Sequence, residues 1–118
     1  MTTARRARGQ AGEDRAARWY EARGYRVVDR NWRCREGELD LVCVEPATGT
    51  VVFCEVKARS SDRYGSPFEA VTPRKQARVR ALATRWLREH RGAVVARRVR
   101  FDVAGVRHFE IEVREGVF

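Results

Sequence analysis

Apolar residues recur in this 118-residue chain with two spacings, one typical of helices and one typical of strands. Intervals of three and four residues occur in segments 4–23 and 73–90, which we therefore predict to be amphipathic helices. Gly24 is a suitable end for the first helix. Thr72 and Pro73 supply an N-cap and a first-turn proline for the second.

The remaining apolar segments alternate with polar residues, as expected for β-strands. In chain order, we predict a short strand at 25–28, a polar connection at 31–37, a strand pair at 38–44 and 51–57, a loop at 59–70, and a second hairpin at 99–113 that turns around Gly105. This order predicts an α/β sandwich in which helices flank a central mixed sheet, in a single domain spanning residues 1–118.

The central hairpin has a simple register if Val44 faces Val51, because Asp40 then faces Glu55. One face of this hairpin is apolar throughout, and we expect it to consist of Leu39, Leu41, Cys43, Val52, Cys54 and Val56. The other face becomes charged at the end away from the turn, where Lys57 also lies. Two carboxylates directly opposite each other destabilise a sheet unless a cation lies between them.

The net charge of +9 and the pI of about 10.6 indicate a polyanionic partner, of which nucleic acid is the commonest. Residues 1–12 are basic and contain no apolar stretch, so we predict no signal peptide. No segment approaches the roughly 20 apolar residues of a membrane span, so we predict none. Cys34, Cys43 and Cys54 lack Cys-x-x-Cys spacing, so we interpret them as reduced residues of a cytoplasmic protein.

Lys57 is one of only two lysines in a chain with 23 arginines. A lysine amine can shift its pKa, whereas a guanidinium stays charged. Asp40 and Glu55 could hold Mg²⁺ (or Mn²⁺), with the carbonyl of Val56 as a third ligand. Lys57 could then orient or deprotonate a water molecule, or stabilise negative charge in a transition state. The alternative is an ordinary ion pair between Glu55 and Lys57 at a strand end.

Two segments, GELDLV at 37–42 and FCEVKAR at 53–59, resemble the UPF0102 family. That family belongs to the PD-(D/E)xK superfamily of restriction-endonuclease-like nucleases and is similar to archaeal Holliday-junction resolvases. The resemblance extends over nearly the whole chain through short motifs, namely GE at 12–13, GY at 24–25, NWR at 31–33, YGSP at 64–67, KQ at 75–76 and RFDV at 100–103.

This resemblance implies a restriction-endonuclease-like fold and a metal-dependent endonuclease that hydrolyses DNA, including branched recombination or repair intermediates. The superfamily's catalytic Asp, Glu and Lys fall on Asp40, Glu55 and Lys57, and the acidic residue on the first helix of the resolvases falls on Glu13. From the residues alone, Glu13 would be a solvated helix residue.

Basic and polar residues after the central hairpin are candidates for phosphate contacts, and they are Arg59, Arg74, Lys75, Gln76 and Arg78. Lys75 lies in the first turn of the second helix, where backbone N–H groups also attract phosphate. A solvated helix face is the alternative for the arginines. Tyr64 and Phe68 could stack on unpaired bases or anchor their loop in the core.

Two other functional classes stay open from the sequence. A non-catalytic nucleic-acid-binding or scaffold module would need the basic surface without the acidic cluster. A protein–protein adaptor would need neither. The apolar hairpin at 97–115 also offers an edge through which a homodimer could form.

Overall fold

The computed structural model describes residues 3–60 and 65–118. Its elements, in chain order, are helix α1 (Thr3–Glu21), strands β1 (Arg26–Cys34), β2 (Gly37–Glu45) and β3 (Thr50–Arg59), a 3₁₀ turn (Pro67–Ala70), helix α2 (Pro73–Glu89), and strands β4 (Arg98–Arg107) and β5 (Glu110–Arg114). The strands form one sheet in the order β1-β2-β3-β4-β5. β3 and β4 are parallel, and the other neighbours are antiparallel.

The two helices cover opposite faces of the sheet, which confirms the prediction of a mixed sheet flanked by helices. Ala16 and Tyr20 of α1 pack on Leu41 and Cys54. On the other face, the cluster contains residues of α2 together with strand residues, and it includes Leu39, Val42, Val51, Phe53, Val79, Leu82 and Trp86. The helix that connects the parallel pair β3 and β4 therefore lies on the face opposite α1.

The start of α2 follows the predicted capping pattern. The Thr72 hydroxyl accepts a hydrogen bond from the backbone N–H of Lys75 at 3.3 Å, and Pro73 occupies the first turn. This cap fixes where the helix begins. It thereby determines which residues of the first turn face the sheet.

Three expectations about the strands were wrong. The segment 31–37 is not a polar connection, because β1 continues to Cys34 and pairs with β2 along its length. Gly105 lies inside β4 and not at a turn. A Cβ at Gly105 would lie 2.7 Å from Pro67 Cγ, so glycine is needed there for the close approach of the 3₁₀ turn.

The predicted register required Leu39 and Leu41 to share one face of the sheet, but they lie on opposite faces. Leu39 packs in the α2 cluster, whereas Leu41 packs in the α1 cluster. The ladder between β2 and β3 ends at Leu41 and Cys54. Strict alternation therefore fails beside Asp40, where the two strands stop pairing. In the part of the chain that the structure describes, no helix is both long and apolar enough to cross a membrane.

Candidate metal and catalytic site

The acidic residues lie where β2 and β3 separate. Val44 pairs with Val51, as predicted, and the ladder continues only as far as Leu41 and Cys54. Beyond that pair, Asp40 Oδ2 accepts a hydrogen bond from the backbone N–H of Val56 at 2.9 Å. A carboxylate thus takes the place of a ladder partner, which positions Asp40 next to the Glu55–Lys57 segment.

A cavity of about 350 Å³ opens between these strand ends and α2. Its lining combines both predicted carboxylates with basic residues from the helix, and it consists of Gly37, Glu38, Asp40, Glu55, Val56, Lys57, Lys75, Arg78, Val79 and Leu82. We refer to Asp40, Glu55, Lys57 and Lys75 as the carboxylate–lysine cluster. The predicted catalytic triplet and the only other lysine of the chain therefore share one cavity.

Glu55 is the most deeply buried acid of this cavity, with a side chain only 5% exposed. Burial and the nearby negative charge of Asp40 raise the pKa of Glu55 to about 7. Lys75 Nζ lies 3.5 Å from Glu55 Oε2 and favours the charged form, yet it does not offset the burial. Burial raises the pKa of Asp40 as well, against the hydrogen bond from Val56. The ionised forms of both carboxylates are therefore disfavoured in these surroundings.

The two lysines differ in how firmly they hold their protons. Burial lowers the pKa of Lys57, and its hydrogen bond with the positively charged Lys75 lowers that pKa further. Burial also opposes the charge of Lys75, but the contact with Lys57 and the attraction of Glu55 together raise the Lys75 pKa. The contact between the two amines therefore disfavours charging both of them, with the pKa of Lys57 lowered and that of Lys75 raised.

Glu13 lies beside this cavity but does not line it. Its Oε1 accepts a hydrogen bond from Asn31 Nδ2 at 2.7 Å. Burial raises the pKa of Glu13, and the negative charge of Asp40 contributes to the same shift. Helix α1 can come this close because Gly12 lies against Ala58, where a Cβ would be only 2.8 Å from that side chain.

The donor set suits a hard cation that needs few protein ligands. Among the described residues, no group of three or more His, Cys, Asp or Glu is arranged to hold a metal ion. The cavity instead offers carboxylate oxygens of Asp40 and Glu55, with the Val56 backbone between Glu55 and Lys57. Mg²⁺ accepts such a set because it binds through one or two carboxylates and keeps several waters. These residues therefore fit Mg²⁺, with Glu13 outside the direct ligands.

The predicted phosphate contacts do not all line one cavity. Lys75 and Arg78 line the cavity, whereas Arg74 is exposed at the start of α2. Gln76 Nε2 donates to the Val71 carbonyl at 3.1 Å and lines a different cavity. Arg59 lies beyond Lys57 on β3 and lines two further cavities. Only the first two of these residues therefore join the carboxylates.

Two aromatic residues of the loop after β3 were candidates for stacking on unpaired bases, and the structure describes one of them. Tyr64 lies outside the described residues. The Phe68 ring is covered by the Arg114 guanidinium, 3.7 Å from the ring centroid, so it is a packed residue and not an open stacking surface.

Asn31, which was not predicted as a site residue, holds Glu13 in place. Asn31 has a φ of 53° in the middle of β1. Asparagine tolerates this left-handed conformation better than most residues. An Asn within a run of strand-forming residues was the available signal, but the segment was interpreted as a loop.

Similarity to known proteins extends over most of the chain. Residues 12–106 match the model of the family described as "Uncharacterised protein family UPF0102". The chain belongs to the UPF0102 family. A UPF0102 protein of Frankia casuarinae is 58% identical over 100 residues, which cover 85% of this chain and 81% of that protein.

Two further relatives give the same result. A UPF0102 protein of Beutenbergia cavernae is 56% identical over 98 residues, covering 83% of this chain and 80% of that protein. A UPF0102 protein of a Mycobacterium species is 51% identical over 110 residues, covering 91% and 78%. The matched region in the family model contains Glu13, Asp40, Glu55 and Lys57. The names of these proteins give the family alone and no activity.

Proposed function

We propose that this UPF0102 protein is a restriction-endonuclease-like, metal-dependent endonuclease that hydrolyses DNA phosphodiesters. The observation that supports it is the carboxylate–lysine cluster, in which the buried Glu55, the partly buried Asp40 and a lysine of lowered pKa line one cavity. Buried like charges are costly in a fold, and they are found chiefly where a ligand or a reaction needs them.

Asp40 and Glu55 would hold Mg²⁺ (or Mn²⁺), together with the carbonyl of Val56. The bound ion supplies positive charge that polarises a phosphodiester and lowers the pKa of water. Glu55, with a pKa of about 7, gives up its proton readily when a cation is near. Asp40 is held in position by the Val56 N–H, so its carboxylate needs no reorientation.

Lys57 is the residue that handles protons in this proposal. Its lowered pKa lets Nζ accept a proton from an attacking water, or give one to the leaving oxygen. Lys75 stays charged and can stabilise the negative charge that develops on the phosphate. Glu13, held by Asn31, would position water from the α1 side.

The substrate is assigned from charge and from the resemblance to the resolvases. The net charge of +9 favours a polyanion, and Arg78 adds positive charge at the cavity. DNA is preferred over RNA, and branched recombination or repair intermediates are included, because of the likeness to Holliday-junction resolvases.

One observation favours the second candidate function, a non-catalytic nucleic-acid-binding or scaffold module that keeps the nuclease fold. Lys75 Nζ already lies 3.5 Å from Glu55 Oε2. A chain that no longer needs a metal could retain this ion pair as its permanent arrangement. In that case nucleic acid would bind without divalent cations and stay intact.

The direct test incubates the chain with labelled duplex, single-stranded, flapped and four-way-junction DNA in Mg²⁺ or Mn²⁺. We expect cleavage, and we expect Asp40→Ala and Lys57→Ala each to reduce its rate by at least roughly a hundredfold while DNA binding persists. Glu38→Ala is the matched control, since Glu38 lines the same cavity but is exposed and pairs with Arg33. Intact DNA in every reaction, or cleavage that survives Asp40→Ala, would exclude the nuclease and favour the binding module.

A further inference from the structure

The turn between β4 and β5 lies at the same end of the sheet as the candidate site. β3 and β4 run parallel, so Lys57 pairs with Gly105 and Arg59 pairs with Arg107. The turn follows directly after Arg107. With about 3.3 Å per strand residue, its tip lies roughly 10 Å beyond the level of Lys57.

Phe109 is at this tip, and 85% of its surface is exposed. The turn has a defined conformation, because His108 adopts a φ of 58° and Arg15 Nε donates to the Phe109 carbonyl at 3.0 Å. Helix α1 thus holds the backbone of the turn while the Phe109 side chain stays exposed.

The surroundings of Phe109 are basic. A cavity of about 380 Å³ adjoins the ring and is lined in part by Arg8, Arg59 and His108. Within the described part of the chain, Arg59 Nε is buried and has no hydrogen-bond partner. A single exposed apolar residue is ordinary on a protein surface. An exposed aromatic ring among arginines is typical of proteins that bind single strands, since bases stack on the ring and phosphates pair with the guanidinium groups.

We propose that Phe109 is a stacking platform for an unpaired nucleobase, with Arg8 and Arg59 on the flanking phosphates. This inference rests on the proposed function and deepens it, because it names the substrate as DNA with unpaired bases.

The test measures binding of the full chain to labelled single-stranded and duplex DNA by fluorescence anisotropy, in EDTA so that no cleavage occurs. Phe109→Ala is expected to weaken single-strand binding roughly tenfold and to leave duplex binding unchanged. Phe109→Trp should restore it, because the larger ring stacks equally well. Val95→Ala is the matched control: Val95 is 78% exposed but lies in the segment before β4, at the opposite end of the sheet.

Four results would overturn the inference. Three concern binding: unchanged single-strand binding by Phe109→Ala, an equal loss on single strands and duplexes, and absence of single-strand binding by the wild type. A change in sedimentation of Phe109→Ala would also overturn it, because Phe109 would then contact a second copy. A cleavage assay distinguishes this inference from the proposed function. If Asp40-dependent cleavage occurs but Phe109 has no role in binding, only this inference fails. If binding depends on Phe109 but no cleavage occurs, only the proposed nuclease activity fails.

Discussion

Two buried carboxylates on adjacent strands of this sheet have opposite surroundings. Asp102 of β4 is fully buried, and its strand neighbour on β3 is Cys54, the residue before Glu55. Asp102 accepts hydrogen bonds from Tyr20 Oη at 2.6 Å, from Arg100 Nε and Nη2 at 2.9 Å, and from the Gly116 N–H at 3.0 Å. Its charge is thus shared among neutral donors and a guanidinium.

Glu55 is buried almost as completely, at 4% exposure, but shares its cavity with a second carboxylate. Its cationic neighbour, Lys75, lies at 3.5 Å and is itself in contact with Lys57. The contrast teaches that burial alone does not identify a functional acid. A carboxylate whose oxygens all have hydrogen-bond donors stabilises the fold. A carboxylate whose pKa is raised to about 7, such as Glu55, can still bind a ligand.

The largest expected effect is on stability, at Asp102. Asp102→Ala should lower the free energy of unfolding by about 3–5 kcal/mol, because it leaves the buried Tyr20 hydroxyl and the partly buried Arg100 without their shared partner. Urea unfolding followed by circular dichroism measures this. Asp14→Ala is the matched control, since Asp14 also pairs with an arginine but is 41% exposed, and it should cost less than about 1 kcal/mol. Equal losses of unfolding free energy for the two variants would show that Asp102 contributes no more to stability than an exposed ion pair does.

Removing the charge of Glu55 should change the free energy of unfolding in the opposite direction. In the absence of metal, Glu55→Gln is expected to stabilise the chain at pH 8 by on the order of 2 kcal/mol, because it removes a charge that the fold disfavours. The folded-state pKa of about 7 exceeds the ordinary value of 4.5, so the folded chain binds the extra proton between these values. The stability contributed by Glu55 is therefore full below pH 4.5 and is lost as the pH rises to about 7.

Unfolding titrations in EDTA at several pH values measure this dependence. The gap between Glu55→Gln and the wild type should open as the pH rises from about 4.5 to about 7. A glutamine variant that is less stable than the wild type at pH 8 would show that Glu55 is a structural ion-pair residue like Asp102.

The smallest expected effect concerns Lys75, which competes with a cation for Glu55. Lys75→Met should tighten Mn²⁺ binding roughly fivefold, corresponding to about 1 kcal/mol of removed repulsion. Isothermal titration calorimetry measures this without any cleavage. Arg74→Met is the control, because Arg74 is the preceding residue of α2 but does not line the cavity. Unchanged or weaker Mn²⁺ binding by Lys75→Met would mean that Lys75 helps to build the site.

Local patterns were sufficient to predict the parts of the fold that depend on neighbours in sequence. The Val44–Val51 register followed from a short turn between two apolar strands, and it correctly brought Asp40 near Glu55. The Thr72 cap likewise determined the start of α2. Such features need only strand alternation and helix-cap chemistry, which a sequence shows directly.

The features that depend on packing between distant elements were not predictable in this way. Lys75 was expected at a phosphate, but the packing of α2 on the sheet brings its amine to Glu55. Asp102 pairs with its near neighbour Arg100, but its burial against Tyr20 depends on where α1 crosses the sheet. Phe109 was interpreted as a strand residue, and its exposure follows from a turn at 108–109 that the alternation concealed.

The central claim is that Asp40 and Glu55 form a divalent-cation site, and anomalous diffraction from crystals grown with Mn²⁺ tests it most directly. We expect an anomalous peak between the two carboxylates, accompanied by separation of Lys75 Nζ from Glu55. The same crystals of Glu55→Gln should lack the peak. A wild-type map with no peak at saturating Mn²⁺, and with the Lys75–Glu55 ion pair intact, would contradict the claim.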